Sequence, residues 1–358
     1  MKRVRYIGLI LLMLSILCAC SKQEAVSSIH LPDADQAEES AIGKQGAAAP
    51  TVSAGTTQKE EADGVYHLEY ETLPLPEAIG SVTAQTVLAD AILVGGQTSD
   101  GAALARLTPD GESEAIPLPD GTEYLYALCP DDAGGFWLLH GSLPAAYCDS
   151  LGNFIIMDDD PEGNLFITHY DADFSMQESI ALQTAYTGNN ERFKQLLKTD
   201  GGFCLLSASL LVKIDETGAE TARQTAGIED GWVFEAMQEL DGTLFVLTQC
   251  IFGGALPELC RFDAAALTPQ DAIQDETAIT GLGRCGDGRL LLGSKDAVFA
   301  YTPESGEKAP LFSWQAFGVT NTAEQLWQTE AGFFFYSSNM EKLELLRWIP
   351  GEAPCEPP

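Results

Sequence analysis

The chain has 358 residues, of which 45% are hydrophobic and 20% charged, and its 53 Asp and Glu against 19 Lys and Arg give a net charge of −34. A surface of that charge repels nucleic acid and anionic lipid headgroups, so neither is expected as a partner. The 9 cysteines show no Cys-x-x-Cys pair and no Cys/His spacing, which argues against a zinc site and against a regular disulfide framework.

The first residues have the features of an export signal. A basic segment precedes an apolar run, residues 7–17, that is too short to span a bilayer comfortably. The run ends in Leu17-Cys18-Ala19-Cys20, which resembles the lipobox of bacterial lipoproteins. That resemblance implies a signal peptide over 1–19, cleavage before Cys20, and a lipid on its sulfur. The expected location is therefore the outer face of the cytoplasmic membrane, extracellular or periplasmic, with the lipid anchor as the only membrane contact.

Residues 20–64 are predicted to form a disordered tether behind the lipidated cysteine. Up to about residue 63 the segment has no aromatic residue and few large aliphatic residues, and Ala, Ser, Gly, Glu, Gln and Thr are abundant. Such a composition cannot bury enough surface to offset the entropy of ordering the chain.

The remaining part, residues 65–350, repeats one pattern: an acidic or glycine turn followed by a short apolar run rich in β-forming residues. The copies begin at Asp90, Asp131, Asp200, Asp241, Asp287 and Glu330. Apart from one longer interval, they recur at roughly 40 to 46 residues, with further short strands between them, which is typical of β-propeller blades. The longer interval fits an insertion around 142–161.

The predicted fold is therefore an all-β propeller, with six blades of four antiparallel strands favoured and seven possible if the insertion hides another blade. The sixth copy lacks an outer strand after Trp348, and the N-terminal run 66–76 reads as a strand without its own hairpin. We expect this run to supply the missing strand and to close the ring, because closure removes an exposed sheet edge. Residues 351–358 are predicted to be a flexible tail.

The repeated turns resemble the blades of bacterial surface propellers. The order of signal, tether and propeller resembles the N-terminal propeller region that precedes some lipid-anchored solute-binding proteins of ABC importers. The resemblance implies a role linked to solute uptake. The α/β half of such a binding protein has no counterpart in this sequence, which leaves either a stand-alone propeller or a chain lacking its second module, and puts transport itself in doubt.

Sequence signals for chemistry are weak. Asp158, Asp160 and Glu162 lie in an acidic glycine turn and are weak candidates for a calcium site. The spacing is not that of an EF-hand, and a solvated acidic turn is the favoured interpretation. The histidines at 67, 140 and 169 stand outside any catalytic motif. No catalytic residue is assigned and no cofactor is expected.

Aromatic residues near strand starts are the candidates for ligand binding. An aromatic ring exposed on the rim of a propeller can stack on a sugar or a peptide side chain, whereas a buried ring is core. The candidates are Tyr124, Tyr126, Trp232, Trp314 and Trp327.

Cys250 and Cys260 flank a stretch where a hairpin would turn. Two interpretations stay open for them: a disulfide, or two small buried apolar side chains.

The function predicted from the sequence is a non-catalytic binding or scaffolding module on the cell surface, with a protein, peptide or carbohydrate ligand. The alternative is an extracellular propeller hydrolase or lyase that acts on polysaccharide or lactone. Histidines clustered with carboxylates at the channel mouth would favour the enzyme, and exposed aromatic residues without such a cluster would favour the binding module.

Overall fold

The structure is a computed structural model. It describes residues 58–61, 64–89, 91–108, 110–142, 146–148, 154–156, 164–184, 186, 192–227, 230–252, 255–274, 278–319, 325–337 and 342–351. The described residues belong to the compact unit Val52–Pro358. Cys20 and the acidic turn with Asp158, Asp160 and Glu162 lie outside the described residues.

The repeated acidic turn has a physical cause in the hydrogen bonds of its aspartate. Oδ1 of Asp131 accepts the backbone N–H of Ala133 at 2.9 Å and of Gly135 at 2.7 Å. Oδ1 of Asp215 accepts the N–H groups of the second and fourth residues after it in the same way, at 2.8 and 3.0 Å. A short carboxylate side chain that bonds the backbone just ahead of it fixes a tight turn, so the chain reverses and the next apolar run pairs with the previous one.

Four sheets have four strands each, in antiparallel order. The first contains β3 (Ser81–Val87), β4 (Ile92–Thr98), β5 (Gly101–Leu107) and β6 (Ser113–Ile116). The second contains β7 (Tyr124–Pro130), β8 (Phe136–Gly141), β11 (Leu165–Tyr170) and β12 (Met176–Ala181). The third contains β13 (Phe193–Thr199), β14 (Gly202–Ser207), β15 (Leu210–Asp215) and β16 (Glu220–Thr225). The fourth contains β17 (Trp232–Leu240), β18 (Thr243–Cys250), β19 (Glu258–Asp263) and β20 (Ile273–Gln274).

The other large sheet has nine strands, in the order β1-β2-β27-β26-β25-β21-β22-β23-β24. Its strands are β1 (Gln58–Glu61), β2 (Gly64–Leu73), β21 (Ile279–Arg284), β22 (Leu290–Ser294), β23 (Ala297–Thr302), β24 (Glu307–Ser313), β25 (Gln325–Gln328), β26 (Gly332–Ser337) and β27 (Lys342–Pro350). Two antiparallel groups meet in it through one parallel pair, in which Leu282 of β21 lies opposite Gln325 of β25.

The prediction of an all-β, propeller-like arrangement is confirmed, but the prediction of six separate four-stranded blades is wrong. The last two groups of strands form one nine-stranded sheet because β21 and β25 come close enough to share backbone hydrogen bonds. In the inserted segment the described residues form only the two-stranded pair β9 (Ala146–Cys148) and β10 (Phe154–Ile156), not a seventh blade.

The N-terminal run pairs with the last strand, as the sequence predicted. Strand β2 lies antiparallel to β27 from the pair Tyr66–Pro350 to the pair Leu73–Leu343. Strand β1 pairs with β2 and begins at Gln58, inside the segment predicted as tether. Its sequence, Gln-Lys-Glu-Glu, contains no apolar residue from which a strand could be predicted. An edge strand can form without one, because backbone hydrogen bonds alone can hold it.

The core is divided into buried clusters between neighbouring groups of strands. Phe136 and Leu138 of β8 pack toward the first sheet, whereas Trp137 and Leu139 pack toward the third. This division follows from the pleat, which sends alternate side chains to opposite faces of a strand. A further cluster joins the first sheet to the end of the chain, and contains Leu73, Val87, Val94, Phe334 and Leu345 among its members.

Candidate functional site

In each group of strands, one strand packs beside the equivalent strand of a neighbouring group. These inner strands are β3, β7, β13, β17, β21 and β25. Five of them carry a β-bulge near their start, where two residues oppose one on the partner strand. The extra residues, called here the bulge residues, are Thr83, Tyr126, Lys194, Glu235 and Thr280. A bulge re-aims a side chain and interrupts pairing, and bulges are frequent beside functional sites.

Contacts between equivalent positions show that the bulges lie at one end of the inner strands. Lys194 Nζ and Glu235 Oε2, both bulge residues, are 2.9 Å apart. The Thr83 hydroxyl donates to the carbonyl of Leu125, the residue before the next bulge, at 2.6 Å. Neighbouring inner strands therefore run in the same direction, and their first residues form a common polar region.

Arg192 and Tyr124 add the main cationic and phenolic groups at this end. The Arg192 guanidinium carbon lies 5.0 Å from the centre of the Tyr124 ring. Tyr124 is 1% exposed. Within 3.5 Å its hydroxyl has no hydrogen-bond partner among the described residues, although Thr83 and Arg192 lie near enough to lower its pKa. Burial raises the pKa of Tyr124, and the charge of Arg192 offsets part of that rise, so the phenol is neutral and a potential donor.

Farther along the inner strands, polar side chains reach across to the neighbouring strand. Gln195 Oε1 accepts the backbone N–H of Met237 at 2.5 Å. Gln85 Nε2 donates to Gln325 Oε1 at 2.7 Å. An inner strand has an unpaired backbone edge, and side chains of this kind satisfy part of it.

The five aromatic residues predicted to bind a ligand do not form one surface. Tyr124 and Tyr126 belong to the bulge end, but both are buried, and the Tyr126 hydroxyl donates to the carbonyl of Ser142 at 2.8 Å. Trp232 is half-buried at the start of β17. Trp327 is half-buried beside a cavity of about 10 Å³ that Glu344 also lines.

The expectation for Trp314 is wrong. It lies in a short 3-10 helix, Trp314–Phe317, and is 1% exposed. Its indole N–H donates to the carbonyl of Ser294 at 2.8 Å. A fully packed indole with a satisfied donor is a core residue and offers no face for stacking on a ligand.

The three histidines of the domain lie apart from one another. His140 is buried between the hydroxyls of Thr122 and Thr168, with Nδ1 and Nε2 at 2.9 and 2.8 Å from their oxygens. Burial lowers the pKa of His140 to about 4, so the ring is neutral at pH 7. His67 lies in β2, near one end of its pairing with β27. Its Nδ1 is 3.0 Å from the carbonyl oxygen of Gly351, and its Nε2 is 3.0 Å from Glu69.

His169 forms the closest histidine–carboxylate pair, with Nε2 at 2.6 Å from Asp131 Oδ2, and its ring stacks on Trp137 at 4.3 Å. Burial alone would raise the pKa of Asp131, but the hydrogen bonds from His169 and from the backbone of Gly135 and Ala133 hold it below its usual range. Asp131 directly follows the last residue of β7. The pair is therefore at the opposite end of the inner strands from Tyr124.

Within the part of the chain that the structure describes, no three His, Cys, Asp or Glu side chains converge as metal ligands. In the same residues, no helix has the length and apolar character needed to cross a membrane.

The disulfide interpretation of Cys250 and Cys260 is wrong, and both thiols are free. Cys260 lies opposite Val246, four residues before Cys250 on the same strand. At about 3.4 Å per residue that offset separates the two cysteines by roughly 13 Å, beyond the ~7 Å that a disulfide can bridge.

Sequence reasoning missed Arg192, Lys194, Thr83 and Glu235 as site residues. Their common signal is a polar residue at the start of an inner strand, but which strands lie inside becomes visible only in the sheet order.

Comparison with known proteins gives the following. No family model matches the sequence, and no curated protein matches it. Among solved structures, a gluconolactonase from Xanthomonas campestris is 14% identical, with 79% of this chain and 90% of that chain covered and a TM-score of 0.48. Virginiamycin B lyase from Staphylococcus aureus is 12% identical, over 79% of this chain and 100% of that one, with a TM-score of 0.44.

The WD40 β-propeller domain of Doa1 is 13% identical, over 78% of this chain and 96% of that one, with a TM-score of 0.42. Likenesses at this level carry no argument about activity.

Proposed function

We propose that this chain is an exported, lipid-anchored protein whose propeller-like domain binds a ligand without transforming it. The observation that carries the proposal is the polar region at the start of the inner strands. It brings together Arg192, Tyr124, Thr83 and the pair of Lys194 with Glu235. Binding sites are commonly concave regions with a few convergent polar groups on a rigid scaffold, and successive strands supply that scaffold here.

The finer architecture is part of the proposal. The nine-stranded sheet would act as two blades joined edge to edge through β21 and β25, with β2 as the outer strand of the last one. The position of Tyr124 and Arg192 at one end of the inner strands would then be the mouth of a central channel.

The anchoring part rests on the sequence around Cys20. Metabolic labelling with radioactive palmitate tests it. The full chain should take up label, Cys20→Ser should abolish the label, and Cys18→Ser should retain it because Cys18 would leave with the signal peptide. Label that persists in Cys20→Ser would overturn the anchor.

Ligand binding is tested by a thermal-shift screen of residues 52–358 against oligosaccharides, short peptides and divalent metals, with a chelator control. A compound that binds only the folded state raises the midpoint by mass action. A shift that Arg192→Gln or Lys194→Gln weakens would support the site at the bulge end. Shifts that both variants leave unchanged would place binding elsewhere. An association with solute uptake predicts co-purification with membrane components of an importer.

The alternative enzyme, a hydrolase or lyase on polysaccharide or lactone, draws on one observation, the pairing of His169 with Asp131. It predicts turnover of such a substrate that His169→Gln abolishes, measured by mass spectrometry of the products.

A further inference from the structure

Among the described residues, Arg192 differs from several other arginines of this acidic chain in having no carboxylate partner. Arg223 pairs with Glu220, Arg289 with Asp287 and Arg347 with Glu71. Among the described residues no carboxylate lies within 4.0 Å of the Arg192 guanidinium, which rests over the Tyr124 ring. In a chain of net charge −34, a cation with no counter-ion among the described residues is available to an external anion at the end of the inner strands.

Tyr124 supplies the second observation. Its side chain is 99% buried, yet among the described residues its hydroxyl has no hydrogen-bond partner within 3.5 Å, although Thr83 and Arg192 lie near enough to lower its pKa. Tyr126, two residues further along the same strand, satisfies its hydroxyl on the Ser142 carbonyl. A buried hydroxyl without a partner is unfavourable and uncommon, so its presence in Tyr124 favours a group that binds there.

The geometry points to the chemistry of that group. A guanidinium offers parallel N–H donors that match the two oxygens of a carboxylate, and a neutral phenol beside it offers one more donor. Lys194 is already compensated by Glu235 at 2.9 Å, and the Thr83 hydroxyl already donates to Leu125. Among the described residues of the bulge end, the donors left are those of Arg192 and Tyr124, together with the Thr280 hydroxyl of β21. With Arg192 as the cation, this set favours one negative group over a multiply charged one.

We propose that Arg192 and Tyr124 bind the carboxylate of a small organic acid, and that this contact anchors the ligand of the binding function proposed above, on which the inference rests. Because the guanidinium covers the ring, binding requires Arg192 to rotate away from the ring face and admit the carboxylate to the hydroxyl. Arg192 is exposed and, among the described residues, has no ion pair to break, so this movement is open to it.

Calorimetric titration of the full chain in detergent tests the inference, with D-galacturonate, its neutral parent D-galactose, and N-acetylglycine as probes. A sugar acid and an amino-acid carboxylate share the anionic group and differ in the rest, so the two acids distinguish the source of the carboxylate. We expect at least one acid to bind and galactose to bind about tenfold more weakly or not at all.

Variants locate the contact. Arg192→Gln should weaken the acid by about tenfold or more, and Tyr124→Phe by about three- to tenfold. Arg289→Gln is the matched arginine control and should leave affinity unchanged. Tyr124→Phe removes a hydroxyl without a partner, so its melting temperature should equal or exceed that of the unaltered chain. Tyr126→Phe should melt lower because it loses the bond to Ser142.

Equal binding of galactose and galacturonate, or unchanged affinity in Arg192→Gln, would overturn the carboxylate assignment while the binding function stands. Failure of both acids would overturn it too, and the separate screen of neutral sugars and peptides then decides whether the binding function also fails.

Discussion

The hydroxyl of Tyr70 donates a hydrogen bond to Oε1 of Glu344 at 2.5 Å, across 274 residues of sequence. Tyr70 lies in β2 and Glu344 in β27, so the bond ties the N-terminal strand to the last strand. Glu344 is 3% exposed, and its other oxygen, Oε2, has no hydrogen-bond partner in the described part of the chain. This side-chain bond to a buried carboxyl group thus adds to the backbone pairing of β2 with β27 at the seam between the two ends of the domain.

Tyr70→Phe should therefore lower the free energy of unfolding by about 1–3 kcal/mol, because it leaves a buried acceptor unsatisfied. Urea unfolding followed by tryptophan fluorescence measures it. Thr72→Val is the control, since the Thr72 hydroxyl donates to the Tyr70 oxygen at 3.2 Å in an exposed position, and its effect should stay within about 0.5 kcal/mol. Equal stability of Tyr70→Phe and the unaltered chain would show that the bond contributes nothing.

Removal of β2 should have a larger effect than removal of everything before β1. A chain starting at residue 58 keeps both strands and should unfold like the longer chain. A chain starting at residue 74 loses buried Leu68 and Leu73 and exposes the edge of β27. We expect a loss of about 3–6 kcal/mol from the two leucines, and association through the free edge. Urea unfolding and gel filtration report the two effects, and a monomer of unchanged stability would contradict the role of β2.

The contribution of His67 to the free energy of unfolding should decrease as pH rises. The Gly351 carbonyl, together with Glu69, raises the pKa of His67 above its usual value. A raised pKa in the folded state means that the stabilisation is complete below the unfolded pKa of about 6.5 and is lost as pH rises through the folded pKa. Urea midpoints from about pH 5.5 to about pH 8.5 should show the advantage over His67→Gln shrinking with pH. A constant difference would rule this out.

The contribution of Asp131 to stability should be lost at low pH. Its pKa is held down by the hydrogen bonds to His169 and the turn backbone, against the effect of burial. A lowered folded pKa contributes stability above the unfolded value of about 3.9, and this is lost as pH falls through the folded pKa. Asp131→Asn should lose about 1.5–3 kcal/mol at neutral pH and show a flatter acid dependence in urea unfolding. Asp132→Asn, at an exposed neighbour, should behave as the unaltered chain.

The two adjacent glycines of the repeated turn should differ in how well they tolerate a side chain. A Cβ on Gly202 would lie 2.0 Å from the Ile214 carbonyl oxygen, at a φ of +143°, whereas Gly201, at +70°, has nothing within 4 Å. Gly202→Ala should cost roughly 3 kcal/mol or more, and Gly201→Ala about 1–2 kcal/mol from the left-handed backbone alone. Similar unfolding midpoints for the two variants would contradict the close approach of the strands.

By itself the sequence determined the local structure and the class of fold. An acidic turn followed by an apolar run specifies a hairpin through interactions within a few residues, such as those of Asp131 with Ala133 and Gly135. The apolar pattern of 66–76 and the missing partner after Trp348 were enough to predict the pairing of β2 with β27. Strand β1 was not predicted, because a strand held by backbone hydrogen bonds needs no apolar pattern in its sequence.

Only the tertiary structure decided the sheet count and the site. Whether β21 and β25 share hydrogen bonds depends on how closely two groups of strands approach, which no local pattern encodes. The burial of Trp314, the free thiols of Cys250 and Cys260, and the meeting of Arg192 with Tyr124 likewise depend on register and sheet order. A one-residue shift in register moves a side chain from the core to solvent, so the chemistry of the site is fixed by contacts distant in sequence.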